Sequence, residues 1–162
     1  MIKLNASVCI DASAPAVWAR LAKLEDIQLW SEPILQASCD GTLAQGVGAE
    51  RTCRLAGNLT IQERWIAWDE GHSFQYEGFG IPLVKRVTNH WSVQPQGARS
   101  LLISAVEMEL KGGFLGRTFE PIMRLMAQRM APNALAGFKY LVEHGHPYPG
   151  KQSELPRVSA LC

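Results

Sequence analysis

The stretch that most constrains this chain is TFEPIMRLMAQRMAPNALAGFKYLVE, residues 118–143, the longest helical pattern in the sequence. Apolar residues recur at Phe119, Ile122, Met123, Met126, Met130, Leu135, Phe138, Leu141 and Val142. Glu120, Arg124, Arg129, Lys139 and Glu143 fall mostly between them. A period of 3.6 residues gathers the apolar set on one broad face, so the stretch reads as an amphipathic helix. Thr118 is the expected N-cap, with Pro121 in the first turn, where a missing N–H does no harm; Gly145 and Pro147 end the pattern. Pro132 removes a mid-helix hydrogen bond and predicts a kink near Gln128. The three methionines of the first half suit either ordinary core or a wall that adapts to what it touches.

Such a helix has to bury its apolar face, and the preceding residues supply a sheet. In residues 2–10, Ile2, Leu4, Ala6, Val8 and Ile10 alternate with Lys3, Asn5, Ser7 and Cys9, the period of a half-buried strand. Ser13 and Pro15 open a short helix to about Leu24, with Val17, Trp18 and Leu21 inward, and a second helical piece, 25–30, stops before Pro33. Strands are expected at 34–40, 48–56, 59–68, 72–79, 85–95 and 99–110, separated by Gly-, Asn- and Asp-rich turns. Connections this short make an antiparallel meander. The expected class is α+β: a seven-stranded antiparallel curved sheet wrapped around a long C-terminal helix, with two short helices between strands 1 and 2. Residues 1–145 read as one domain, and 146–162, with three prolines and no period, as a flexible tail.

A chain of 162 residues suits one core. Its net charge of +1, with no basic run longer than two residues, argues against a nucleic-acid partner. Cysteines at 9, 39, 53 and 162 show no CxxC spacing and are expected to be reduced, mostly buried thiols. No signal peptide or transmembrane segment is expected, and the expected location is the cytoplasm. His144 and His146 have no third ligand at helical spacing, and no phosphate-loop, dinucleotide or nucleophile-elbow motif is present, so neither metal nor cofactor is expected.

Three stretches carry a family resemblance: IDASAPAVWARLAKLEDIQLW, the GVGAE turn entering a strand, and NHWSVQPQGARSLLISAVEMEL before the final helix. With the order of elements, they resemble the helix-grip fold of the START-like, Bet v 1-like (SRPBCC) superfamily over residues 2–143. Within it the chain is similar to the bacterial polyketide cyclase/dehydrase and lipid-transport group. The resemblance implies binding of a hydrophobic small molecule or lipid, with enzymes in a minority, and no cyclase motif is matched residue by residue.

The meander places the turns at 41–47, 69–71 and 94–98 at one end, and the connections at 57–58, 80–84 and 111–117 at the other. Phe79 to Val84 and Gly112 to Gly116 put Ile81, Leu83, Phe114 and Leu115 at apolar, glycine-flanked tips. These read either as a lid over a ligand entrance or as a packed or dimerising rim. Strand parity turns Glu63, Trp65, Tyr76, Asn89, Trp91 and Ser104 inward, although Ile66 and Trp68 make the fourth strand ambiguous. Glu63 is free to pair with Arg51, hold a ligand hydroxyl, act as an acid/base, or face solvent through a bulge. The expected ligand site is lined by Glu63, Tyr76, Asn89, Trp91, Met123, Met126 and Met130, with Phe79, Ile81 and Phe114 at its mouth. No convergent acid–base pair is legible, which favours carriage of a hydrophobic ligand over a cyclase/dehydratase. An interaction module using the apolar rim is the further alternative, and a monomer or weak homodimer is expected.

Overall fold

The computed structural model describes the backbone of residues 1–162 and the side chains of all but residues 113–117. Seven strands form one antiparallel sheet: β1 (Ile2–Ile10), β2 (Ile34–Ser38), β3 (Glu50–Leu55), β4 (Thr60–Asp69), β5 (Ser73–Phe79), β6 (Val84–Gln96) and β7 (Arg99–Leu110). Their order is β1-β7-β6-β5-β4-β3-β2. From β2 to β7 each strand pairs with its neighbour in the chain, as short turns require, and β1 closes beside β7. Helices α1 (Ala14–Leu21) and α2 (Ile27–Trp30) lie between β1 and β2, and α3 (Gly113–His144) follows β7.

The helix differs from expectation at its start. Gly112 takes a left-handed conformation (φ 85°), which turns the chain directly out of β7 into α3. The helix therefore begins at Gly113, Thr118 lies inside it and is not its N-cap, and Pro121 and Pro132 are both interior. At the other end Gly145 (φ 79°) donates its N–H to the Leu141 carbonyl, a left-handed glycine cap.

Register fixes the concave face as cross-strand rows. One row reads Arg51, Glu63, Gly78, Val87, Met108, Ile2; the next Trp65, Tyr76, Asn89, Val106, Leu4; the third Trp68, Phe74, Trp91, Ser104, Ala6. The pairing of β4 with β5 shifts between Trp65 and Ala67, and this bulge puts Trp65 and Trp68 on one side. That resolves the conflicting parity of β4 and leaves Ile66 exposed.

The core is divided. The larger cluster, with Val8, Val17, Trp18, Trp30, Phe74, Trp91, Leu102, Leu135 and Phe138, joins α1, α2 and the second half of α3 to the sheet. Trp30 meets Trp91 and Phe138 edge-on at 5.7 and 5.2 Å, tying α2 to both sheet and helix. Trp18 and Trp68 donate their indole N–H groups to the two carboxylate oxygens of Glu70 at 2.9 and 2.7 Å, which fixes α1 to the β4–β5 turn. The smaller cluster, Ile2, Val84 and Met108 with Leu4, Ile81, Val87, Leu110 and Met123, lies at the opposite end.

The cysteines and the C-terminal segment depart from the sequence reading. Cys9 and Cys162 form a disulfide across a separation of 153 residues, so two of the expected thiols are bonded; Cys39 and Cys53 are free. No spacing rule connects residues so far apart. Residues 146–162 lie back along α3 and β1, where the Ser159 carbonyl accepts the Cys9 N–H at 2.7 Å. Among the described residues, no helix is long and apolar enough to cross a membrane.

Candidate functional site

The gap between the two clusters is filled by polar side chains. β3 and β4 are joined through Ala56–Asn58, and their pairing sets Arg51 opposite Glu63 on the concave side. Both are nearly enclosed, at 4% and 9% exposure. Arg51 approaches one oxygen of Glu63 through Nε at 2.7 Å and Nη2 at 2.5 Å, and its Nη1 donates to the Leu24 carbonyl. The guanidinium lies over the Trp65 ring, 4.9 Å from its centroid, with Tyr76 at 5.8 Å. Burial is the largest influence and acts against the arginine's charge, but Glu63 together with the smaller effects of Cys53 and Tyr76 outweighs it, and the pKa is raised. Next along β3 on the same face, the Cys53 thiol is 3.6 Å from Glu63; burial first, then the adjacent carboxylate, push its pKa up to about 12. Among the open choices for Glu63, the structure selects the pair with Arg51.

The second polar group runs across β5, β6 and β7. Ser104 donates to Asn89 Oδ1 at 2.9 Å, and Asn89 Nδ2 donates to the Tyr76 hydroxyl at 3.3 Å. Burial, followed by the nearby Glu63 charge, raises the Tyr76 pKa, so the group stays a phenol with an O–H to donate. Trp65 is 1% exposed, and its indole N–H is the one buried side-chain polar atom without a partner among the described residues. Gly78 stands between Glu63 and Val87 because a Cβ there would come 2.7 Å from the Val87 side chain.

Over this face the halves of α3 behave differently. Leu135, Phe138 and Leu141 are at most 1% exposed, whereas Phe119, Ile122, Leu125, Met126 and Met130 are 45–58% exposed. The apolar stripe thus continues past the point where it has a protein partner. The rim beside it carries Leu83, 48% exposed in a left-handed conformation (φ 63°), and Gly80 (φ 92°), where a Cβ would come 2.5 Å from the Thr60 carbonyl.

Of the expected site residues, Glu63, Tyr76, Asn89 and Trp91 come together on the concave face. Met123 and Ile81 join the smaller cluster, and Met126 and Met130 stay on the exposed stripe. Phe79 follows Gly78 on the strand and so faces outward; it borders a depression of about 270 Å³ that also reaches Arg51 and Glu63, with Glu50, Gln62 and Arg64. Phe114 lies outside the described side chains. Sequence reading missed Trp65 as a free donor and Cys53 beside Glu63. Inward parity marks both Cys53 and Trp65; only Trp68 needed the bulge, which has no glycine to signal it. Chemically, the arrangement offers two donors and a locked ion pair within an aromatic wall, and its one carboxylate among the described residues is held by a cation.

The sequence matches the family described as polyketide cyclase/dehydrase and lipid transport over residues 1–143, and the chain belongs to that family. No curated protein matches it by sequence. Among solved structures it is similar to the Zhui aromatase/cyclase from Streptomyces sp. R1128, with a TM-score of 0.75 at 16% identity over 88% of this chain and 94% of that one. A norcoclaurine synthase from Thalictrum flavum, a point mutant in complex with a transition state analogue, gives 0.68 at 16% identity over 89% and 95%. The protein TTHA0849 from Thermus thermophilus gives 0.71 at 15% identity over 89% and 99%. At these identities the likeness is one of fold, and it agrees with the helix-grip architecture.

Proposed function

We propose that this member of the polyketide cyclase/dehydrase and lipid-transport family binds a hydrophobic small molecule or lipid between the concave face and the first half of α3, and carries it unchanged. One observation carries this reading: the apolar stripe of α3 is unpartnered beside a buried polar band that still has hydrogen bonds to give. An apolar ligand body would cover Met126 and Met130, with Met123 and Ile81 at the end of the smaller cluster. A carbonyl or hydroxyl on the ligand would accept from the Trp65 indole or the Tyr76 hydroxyl, repaying the cost of an orphaned buried donor. Phe114 is kept as a mouth residue; Phe79, facing outward, is not.

Carriage is favoured over catalysis because Glu63 is held by Arg51, and Tyr76 resists ionisation. Proton abstraction needs a base within reach that is not already committed to a cation. If the cyclase/dehydratase reading held instead, Glu63→Gln would abolish a turnover that the wild type shows. If α3 is an interaction surface, the stripe is covered in a homodimer whose mass depends on concentration.

Titration with an apolar fluorophore, read through tryptophan emission, tests the proposal. We expect saturable one-to-one binding that perturbs emission, with Tyr76→Phe weakening binding of a carbonyl-bearing probe more than of a pure hydrocarbon. No saturable binding at micromolar probe rejects it.

A further inference from the structure

The C-terminal segment is held at two points, one against α2 and α3 and one at the sheet edge, and only the second is covalent. At the first, Gln152 is buried; its Nε2 donates to the Trp30 carbonyl at 2.7 Å and its N–H to Glu32 at 3.0 Å. Gly137 on α3 makes room, since a Cβ there would lie 2.5 Å from the Gln152 amide nitrogen and 2.6 Å from the Trp30 carbonyl. At the second, the Cys9–Cys162 disulfide joins the segment to β1. There the Cys9 N–H donates to Ser159, and Arg99 donates to the Cys162 carbonyl at 3.2 Å. Between the two points, Leu155 to Ser159 roof a groove of about 480 Å³, floored by Ala136, Lys139, Tyr140 and Glu143 of α3.

β1 is an edge strand: β7 occupies one side and no strand the other. An edge carries N–H and C=O groups that other chains can pair with, and proteins cover such edges. Here the cover is partly the segment, through Ser159, and partly Lys139, whose ammonium donates to the Cys9 carbonyl at 2.8 Å.

We propose that Cys9–Cys162 is a redox-operated clasp: exchange with a dithiol releases residues 153–162 from the β1 edge and opens the groove, while Gln152 and the folded domain stay in place. The two sulfurs are not equally open to attack, since Cys162 is exposed and Cys9 is buried. A reductant thiolate attacks Cys162 Sγ, forms a mixed disulfide there and expels the Cys9 thiolate, which takes up a proton. The reductant's second thiolate then closes on its own sulfur and expels the Cys162 thiolate, which is protonated in turn. Two electrons and two protons pass from the dithiol, which leaves as its cyclic disulfide, and an oxidised dithiol reverses the sequence. Loss of the clasp leaves one main-chain hydrogen bond, Cys9 to Ser159, and one from the Arg99 side chain to the Cys162 carbonyl near the β1 end, too few to hold a mobile strap against fraying. The proposal is independent of what the concave face binds.

Limited proteolysis and amide hydrogen exchange on the whole protein, with and without dithiothreitol, test it. The expected result is at least tenfold faster cleavage within 153–162 and faster exchange at the Cys9 amide after reduction. Trp91 and Leu102 should remain among the protected core amides, oxidised dithiothreitol should restore protection, and Cys162→Ser should reproduce the reduced pattern without reductant. Equal protection in both states would mean that the hydrogen bonds alone hold the strap. Global unfolding on reduction would make the bond a staple and not a clasp. Alkylation of Cys9 and Cys162 in protein never exposed to reductant would show that the bond does not form. Any of these three outcomes overturns the proposal.

Discussion

Arg51 and Glu63 are safe as a pair and costly apart. Arg51→Ala leaves a carboxylate at 9% exposure with no cation, and a stranded buried charge of this kind costs about 3–5 kcal/mol. Glu63→Gln in the same chain should recover much of that loss. Denaturant titration of the single and double variants measures both, and equal stability of Arg51→Ala and wild type would contradict the pairing. The same pocket sets a pH dependence. Cys53 and Tyr76 have raised pKa values, so the folded state keeps protons that the unfolded state releases. Stability is then complete below about pH 9 and falls as pH rises from 9 towards about 12. Cys53→Ala should flatten part of that decline; an unchanged slope would show that the thiol plays no part. The ion pair was legible as one of several options because Arg51 and Glu63 flank a short connection at matching parity. Trp65 was legible as inward by alternation with Glu63 but not as an orphan donor, and the inward turn of Trp68 was not legible because the bulge at Ile66 re-aims the strand without a marker residue.

Strand alternation and turn chemistry placed all seven strands to within about two residues, since a period of two is enforced along each strand by its half-buried face. Helix α3 was legible in its face and not in its start: Thr118 resembles a cap, but Gly112 provides the turn that starts the helix. The apolar stripe looks uniform in sequence, and only the fold shows that its second half is core and its first half exposed. That contrast is testable within one element. Phe138→Ala removes a side chain with no exposure and should cost about 3–5 kcal/mol. Met126→Trp, at a position 54% exposed, should change stability by no more than about 0.5 kcal/mol yet weaken apolar-probe binding several-fold by filling the space beside the stripe. Thermal or chemical denaturation beside probe titration separates the two, and a large stability loss at Met126 would make the first half of α3 solid core.

For the molecule as a whole, the disulfide and α3 close opposite ends of the chain onto the same strand. The Met1 amino group lies 3.9 Å from Glu120, Asp11 donates its N–H to Glu143 at 2.7 Å, and Cys9 holds Cys162. Cross-linking so long a loop restricts the unfolded chain, and Cys162→Ser should lower stability by about 2–4 kcal/mol without altering the fold. The pairing was invisible to sequence reading because contact between residues 9 and 162 depends on the finished sheet edge. The helix-grip architecture was visible because every element announces its own burial. The central claim is that the concave face, the polar band and the open stripe of α3 together hold one apolar molecule. Native mass spectrometry of the protein incubated with excess apolar fluorophore tests it most directly. The account predicts a one-to-one adduct that is lost on denaturation and depleted in Met126→Trp; a spectrum showing only the bare chain, or an adduct equally abundant in Met126→Trp, would contradict it.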